Sequence, residues 1–186
     1  MRLPGVAVAV DVDNLLISTA RAGHGWRGFS LKAGFENMFA WINTFGSIFC
    51  VYLYQPLSQC VPNDKVFHEL WEKYKNEFVF EVIYCPKKIS PETGKLIDNV
   101  DEHLIFHTER MVDSWGPKVQ YFCLESGDRG YSPFLWNTIK RKHHLEIALV
   151  VGSKSSFSKV YQQVSPTALH PQTGKELIHY FLPKEK

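Results

Sequence analysis

The chain has 186 residues, of which 45% are hydrophobic and 22% charged, and its formal net charge is +2. This length and apolar content suit one domain with a substantial core, and the interspersed charges argue against extended disorder. The weak basic excess does not by itself indicate nucleic-acid binding. The sequence has no signal-peptide pattern and no stretch near the roughly 20 apolar residues of a membrane span. We therefore expect a cytoplasmic protein with no membrane association.

Five apolar, β-rich runs are spaced along the chain. Most are apolar nearly throughout, which is typical of strands in a parallel sheet covered on both faces. The third run alternates more, as an edge strand does. The predicted strands are 5–12, 47–54, 78–85, 118–125 and 145–152.

Amphipathic segments with helical spacing separate these runs, and the predicted helices are 31–45, 62–77, 96–116, 132–144 and 156–164. The alternation predicts a three-layer α/β fold with a mostly parallel central sheet of about five strands flanked by helices. We expect residues 18–30, which are rich in glycine, and residues 86–95 to form loops. Residues 1–165 would form the domain, and 166–186 a C-terminal extension in which 174–183 has the composition of an added edge strand.

The four cysteines, Cys50, Cys60, Cys85 and Cys123, form no C-x-x-C pair. This argues against a zinc ribbon or a thioredoxin-like motif. Because most of them lie in or beside predicted strands, we expect buried, reduced thiols.

Polar residues follow two of the predicted strands. Asp11, Asp13 and Asn14 stand at the carboxyl end of the first strand, and Asp128 stands in "ESGDRGY" at the carboxyl end of the fourth. Ligands of open parallel sheets bind outside the carboxyl ends of the strands, near the switch point. If these two strands are neighbours, Asp11 and Asp128 face each other.

Asp98 and Asp101 lie three residues apart at the start of the predicted helix 96–116, so both should project to the same side. Asp98 would fall in the first turn, where the helix dipole favours an anion, and Asp101 interrupts the apolar stripe. Each acid taken alone also fits a turn or a helix cap. Converging carboxylates repel one another, however, and a hard cation such as Mg²⁺ or Mn²⁺ relieves that repulsion. Their joint placement therefore favours a metal site.

Four motifs occur in a fixed order: "AVDVDN" (9–14), "KLIDNVDEHL" (95–104), "LESGDRGYSPFL" (124–135) and "LVVGSKSSFSKVYQQVSP" (149–166). Together they resemble the NYN domains of the PIN-like nuclease superfamily, especially the LabA-like branch. The family patterns are D-x-x-N after the first strand, K-x-x-D opening a helix, SGD-x-D-F-x-P after the fourth strand, and a late strand followed by a Gly/Ser turn. The resemblance covers residues 5–165. It implies a PIN-like α/β fold and Mg²⁺- or Mn²⁺-dependent ribonuclease activity.

Matched residue by residue, the resemblance implies metal-binding or catalytic roles for three acids and site roles for two polar residues. These residues are Asp11, Asp98 and Asp128, with Asn14 and Ser126. Position and spacing add two further candidate ligands, Asp13 and Asp101, and Asp101 is also a candidate catalytic residue.

The chain departs from the family after SGD, where Arg129-Gly130-Tyr131 follows and Gly130 replaces a second acid. In one interpretation Asp101, on the facing helix, compensates for the missing carboxylate. In the other, metal affinity is weakened and the domain is a poor nuclease or none.

Basic residues near the predicted site are candidates for binding substrate phosphates: Lys87, Lys88 and Lys95 in the loop 86–95, and Arg129. Arg21 and Arg27 lie in the loop 18–30 together with Trp26, which could stack on a base. The basic run 140–144 also suits a solvated helix end. His103 and His107 are four residues apart without an H-E-x-x-H pattern, which argues against zinc.

We therefore expect an endoribonuclease in which a water activated by Mg²⁺ or Mn²⁺ attacks an RNA phosphodiester in line. The rival hypothesis is a catalytically weak or inactive NYN-fold module that binds RNA or protein. A third is a toxin-like or scaffold role, in which another protein or a second copy covers an apolar surface at Trp136 or Tyr161.

Overall fold

The computed structural model describes residues 3–21, 30–57, 60–153 and 167–182, and the side chains of 20, 21 and 60–63 are outside this description. Its centre is a six-stranded sheet in the order β3-β2-β1-β6-β7-β8. Every pairing between neighbouring strands of this sheet is parallel. The strands are β1 (Gly5–Asp11), β2 (Ser47–Pro56), β3 (Val79–Cys85), β6 (Val119–Glu125), β7 (Glu146–Val151) and β8 (Ile178–Tyr180). A separate antiparallel pair consists of β4 (Lys88–Ile89) and β5 (Leu96–Ile97).

Helices cover both faces of the sheet. They are α1 (Val12–Arg21), α2 (Leu31–Ile42), α3 (Cys60–Tyr74), α4 (Val100–Trp115) and α5 (Ser132–Phe134), which continues as a π-helical segment, Leu135–Lys142. Apolar residues of α1, α2 and α3 pack in one core cluster. Those of α4, α5 and the π-helical segment pack in a second cluster. The α/β prediction with a mostly parallel sheet between helical layers is thereby confirmed.

The ends of the sheet also agree with the sequence. The third predicted strand, β3, is an edge strand. The other edge is β8, which lies within the predicted segment 174–183 and raises the number of strands from the expected five to six. The predicted helix 156–164, with Tyr161, and residues 22–29, with Trp26 and Arg27, lie outside the described residues.

Helix α4 begins at Val100, four residues later than predicted. Leu96–Ile97 pair instead with Lys88–Ile89, in a hairpin whose turn contains Gly94 at φ +65°. The same two apolar residues suit a helical stripe or a short strand, which is why the sequence misplaced the boundary. The expectation that Asp98 lies in the first turn of this helix is therefore wrong, whereas Asp101 does lie there.

Helix α1 was not predicted, and residues 18–21 are helical where a loop was expected. Its apolar positions 12, 15 and 16 come directly after the apolar run of β1. The sequence pattern therefore shows no boundary between the strand and the helix. The helix matters for the site because it begins directly after Asp11.

Cys50, Cys85 and Cys123 are buried free thiols, as expected for the strand cysteines. The side chain of Cys60 is outside the described residues. None of the helices in the described ranges is long and apolar enough to cross a membrane.

Candidate functional site

The carboxyl edge of the sheet contains a topological switch point between β1 and β6. The chain builds β1, β2 and β3 outward on one side, and β6, β7 and β8 outward on the other. Crevices of this kind bind ligands in open parallel sheets, because the connections on either side of the switch point diverge. The residues that end the two strands at the crevice are Asp11 and Glu125.

Asp11 is 6% exposed, and both of its carboxylate oxygens accept hydrogen bonds. The backbone N–H of Asn14 donates to Oδ1 at 3.0 Å, so Asp11 caps the amino end of α1. The hydroxyl of Tyr131 donates to Oδ2 at 2.8 Å. Asp11 continues the pattern of Ala7 and Ala9 in β1, which belong to the α4 side of the sheet. The carboxylate therefore faces the amino end of α4.

Burial raises the pKa of Asp11 to about 6. The hydrogen bonds from Asn14 and Tyr131 act in the opposite direction and lower it. The negative charges of Asp13 and Asp101 raise it further. Two of the acids proposed from the sequence, Asp13 on α1 and Asp101 on α4, thus act electrostatically on a third, the buried Asp11 at the end of β1.

Glu125 is an acid at this edge that the sequence analysis did not select. It is fully buried, and its carboxylate oxygens accept no hydrogen bond from any residue in the described ranges. Burial, followed by the charge of Asp11, raises its pKa well above the usual value. A glutamate at the last position of an otherwise apolar strand was the signal available in the sequence.

The remaining polar residues of the SGD motif hold a turn against α1. Asn14 Oδ1 accepts a hydrogen bond from the N–H of Gly127 at 2.9 Å, which ties α1 to the chain that follows β6. Ser126 Oγ accepts from the N–H of Asp128 at 3.1 Å, and Asp128 Oδ1 accepts from the N–H of Gly130 at 2.9 Å. The predicted neighbours β1 and β6 are paired, but the Asp128 carboxylate is exposed and serves as the cap of this turn.

Asp98 forms an exposed ion pair just before the start of α4. Its Oδ1 is 3.7 Å from Lys87 Nζ, and both side chains are 37% exposed. Lys88 pairs with Glu102 in the same region, and this salt bridge connects the hairpin β4–β5 to the first turn of α4. Exposed pairs of this kind contribute little to stability. Of the candidate phosphate binders, Lys95 is exposed on the hairpin turn, and Arg129 is exposed in the turn after Asp128.

His107, one of the two histidines weighed for zinc, has a structural environment on α4. Its Nδ1 is 2.7 Å from the hydroxyl of Tyr54, and its ring packs edge-on against Tyr52. Burial lowers the pKa of His107, which favours the neutral imidazole.

The donor set at the crevice suits a hard divalent cation, although it is not a complete cage. Within the described ranges, no three Asp, Glu, His or Cys side chains are grouped closely enough to hold one ion. Mg²⁺ commonly binds through one or two carboxylates and completes its shell with water and substrate phosphate. Asp11, with Asp13 and Asp101 close enough to affect its pKa, fits that less demanding arrangement.

A groove of about 690 Å³ lies at the opposite edge of the sheet. Its lining includes Gly5, Ser47, Val79 and Gln120, at or next to the first residues of four strands. Because the candidate acids lie at the carboxyl ends, this groove is separate from the site.

Comparison with known proteins supports the fold and does not name a family. No family model and no curated protein matches the chain. Among solved structures, it is similar to the crystal structure of a protein of unknown function from Vibrio parahaemolyticus, with a TM-score of 0.62 and 17% sequence identity. The alignment covers 89% of this chain and 91% of that one. At this identity the likeness concerns the α/β architecture alone.

Proposed function

We propose that the protein is a metal-dependent phosphodiesterase that acts on RNA. One observation carries the proposal: the buried carboxylate of Asp11, at the switch point of a parallel sheet, has its pKa raised by the charges of Asp13 and Asp101 as well as by burial. Negative charge concentrated at a ligand-binding crevice favours a divalent cation. The resemblance to NYN domains supports RNA as the substrate.

Asp11 is the carboxylate that would hold Mg²⁺ or Mn²⁺, and the negative charges of Asp13 and Asp101 would attract the cation. Such a cation supplies Lewis acidity toward a phosphodiester and lowers the pKa of a nearby water. Asn14 positions the crevice by holding Gly127 against α1. Arg129, exposed immediately after the SGD turn, would bind an RNA phosphate.

The rival function, a module that binds RNA without cleaving it, is favoured by a specific contact. The hydroxyl of Tyr131 already occupies Oδ2 of Asp11, and Gly130 contributes no carboxylate to the turn. The first feature occupies an oxygen that could bind a cation, and the second means that the turn has one carboxylate fewer. A domain of this kind would retain its basic surface and lose turnover.

The two functions are separated by measuring cleavage and binding of the same RNA in Mn²⁺ and in EDTA. The variant for this test is Asp101→Asn, with Glu102→Gln as its matched control on the same first turn of α4. The phosphodiesterase proposal predicts cleavage in Mn²⁺ that is abolished by EDTA, lost in Asp101→Asn and retained in Glu102→Gln.

RNA binding without cleavage in any metal would support the binding module. Cleavage that persists unchanged in EDTA would contradict the metal-dependent mechanism. Absence of both binding and cleavage would contradict both functions.

A further inference from the structure

Tyr131 and Asp11 form a buried side-chain hydrogen bond in the crevice. Tyr131 is 1% exposed and belongs to the apolar cluster on the α4 side of the sheet. Its hydroxyl lies 2.8 Å from Oδ2 of Asp11. A hydrogen bond from a phenol to a buried carboxylate is stronger than one between neutral groups, because the acceptor is charged.

Both oxygens of the Asp11 carboxylate already have a partner. Each oxygen has two lone-pair directions, and one on each is used, by Asn14 N–H on Oδ1 and by Tyr131 on Oδ2. Since Asp11 is 6% exposed, protein atoms block most remaining approaches. A ligand that approaches Oδ2 therefore meets the Tyr131 hydroxyl.

The hydroxyl is also held in place by the turn that precedes it. The N–H of Gly130 donates to Asp128 Oδ1 at 2.9 Å, and the N–H of Tyr131 donates to the carbonyl oxygen of Asp128 at 3.3 Å. Ser126 Oγ in turn accepts from the N–H of Asp128. With backbone and ring both fixed, Tyr131 cannot move aside without disturbing a network of hydrogen bonds.

We propose that the hydroxyl of Tyr131 competes with a divalent cation for Oδ2 of Asp11, so that Tyr131 sets the cation affinity of the crevice. This inference rests on the cation site of the proposed function and identifies the residue that tunes it. A cation that takes the Oδ2 direction used by Tyr131 breaks a buried hydrogen bond and leaves the hydroxyl without this acceptor, which weakens binding. Tyr131 is thus a positioning residue that acts through Asp11.

The test is a calorimetric titration of Mn²⁺ into wild type and Tyr131→Phe at pH 8, above the pKa of about 6 for Asp11. The expected result is Mn²⁺ affinity higher on the order of tenfold in Tyr131→Phe, or about 1.4 kcal/mol. Tyr54→Phe is the matched control. Tyr54 is fully buried and stands opposite Asp11 in the sheet register, but its hydroxyl contacts His107. Its removal should leave the affinity unchanged.

A second comparison locates the gain. Asp11→Asn introduced into Tyr131→Phe should remove the added affinity, and persistence of that affinity would overturn the inference. Equal or weaker binding by Tyr131→Phe would also overturn it, because a hydroxyl that orients Asp11 for a cation predicts a loss. If Tyr131→Phe matches wild type while Asp101→Asn binds less Mn²⁺, the inference about Tyr131 fails and the cation site stands. If no variant binds Mn²⁺, both fail.

Wild-type protein provides a test that does not depend on folding of a variant. In protein labelled with ¹³C at tyrosine Cζ, saturating Mg²⁺ should shift the Tyr131 resonance, which reports the state of the phenol hydrogen bond, and leave that of Tyr54 in place. Binding of Mg²⁺ without a change at Tyr131 would contradict competition for Oδ2.

Discussion

Replacing Gly130 with aspartate restores an acid at the position where the SGD motif departs from the NYN pattern. The backbone can accept it, because Gly130 does not have a positive φ. An added Cβ would meet the Asp128 carboxylate at 3.5–3.7 Å, which is ordinary van der Waals contact. The N–H of Gly130 that donates to Asp128 is retained in any such variant. The substitution therefore changes charge with little change in packing.

The electrostatic cost follows from the same geometry. Two carboxylates about 5 Å apart repel by about 0.8 kcal/mol in water and by about 3 kcal/mol at an effective dielectric of 20. Asp128 and position 130 are both exposed, so solvent and salt keep the repulsion near the lower value. A cation bound in the adjoining crevice would reduce the repulsion. We expect Gly130→Asp to be less stable than Gly130→Asn by about 1 kcal/mol or less without metal.

The assay is urea unfolding of Gly130→Asp and Gly130→Asn with and without Mn²⁺, together with a calorimetric titration of each. Binding of Mn²⁺ at ten times its Kd stabilises a protein by about 1.4 kcal/mol, which reverses the order of the two variants. Gly130→Asn controls for the loss of glycine and for side-chain volume. Equal Mn²⁺ affinity in the two variants would refute the reasoning, because it would mean that an acid at this position does not face the cation.

Further predictions concern the acids of the crevice. The pKa of Asp11 rises from 3.8 to about 6 on folding, so the native state retains a proton between these pH values that the unfolded chain has released. The stabilising contribution of this proton is thus fully present below about pH 4 and is lost as the pH rises through about 6. The loss in the free energy of unfolding is up to about 3 kcal/mol. Urea unfolding of Asp11→Asn should therefore depend less on pH than unfolding of wild type does. Asp101→Asn should lower the pKa of Asp11 in a carboxyl NMR titration. Asp98→Asn should leave that pKa in place, since Asp98 pairs with Lys87. Equal effects of the two variants would contradict the placement of Asp101 near Asp11. Asp11→Ala should lower the unfolding free energy by about 2–4 kcal/mol, because it removes the α1 cap and leaves the buried Tyr131 hydroxyl without its acceptor; a loss below about 1 kcal/mol would contradict this.

The fold was predictable because the arrangement of strands and helices follows from the hydrophobic pattern of short segments. Apolar runs such as 5–10 and 147–151 are buried on both faces, and such strands require a parallel sheet with helices on each side. Helix α1 escaped prediction because its apolar positions directly continue the run of β1. The boundary of α4 was misplaced because Leu96 and Ile97 fit two periodicities, and only pairing with Lys88–Ile89 selects the extended one.

The site was predictable in composition and less so in geometry. The sequence shows that Asp11 ends an apolar strand, and in a parallel sheet that end lies at the carboxyl edge. Whether Asp98 or Asp101 approaches Asp11 depends on where α4 begins. A shift of the helix start by about one turn replaces Asp98 by Asp101 in the first turn. The hydroxyl of Tyr131 joins residues 120 positions apart, and no local pattern indicates such a contact.

These contacts determine which experiments on Asp11 can be interpreted. The same carboxylate caps a helix, accepts the hydroxyl of a buried tyrosine and is the leading candidate for binding a cation. Loss of activity in Asp11→Ala would therefore be expected either from damage to the fold or from loss of a cation ligand. Asp101 is exposed in the first turn of α4 and acts on Asp11 through its charge, so Asp101→Asn removes charge with little structural consequence. Asp101 is the residue at which the metal-site hypothesis is most cleanly tested.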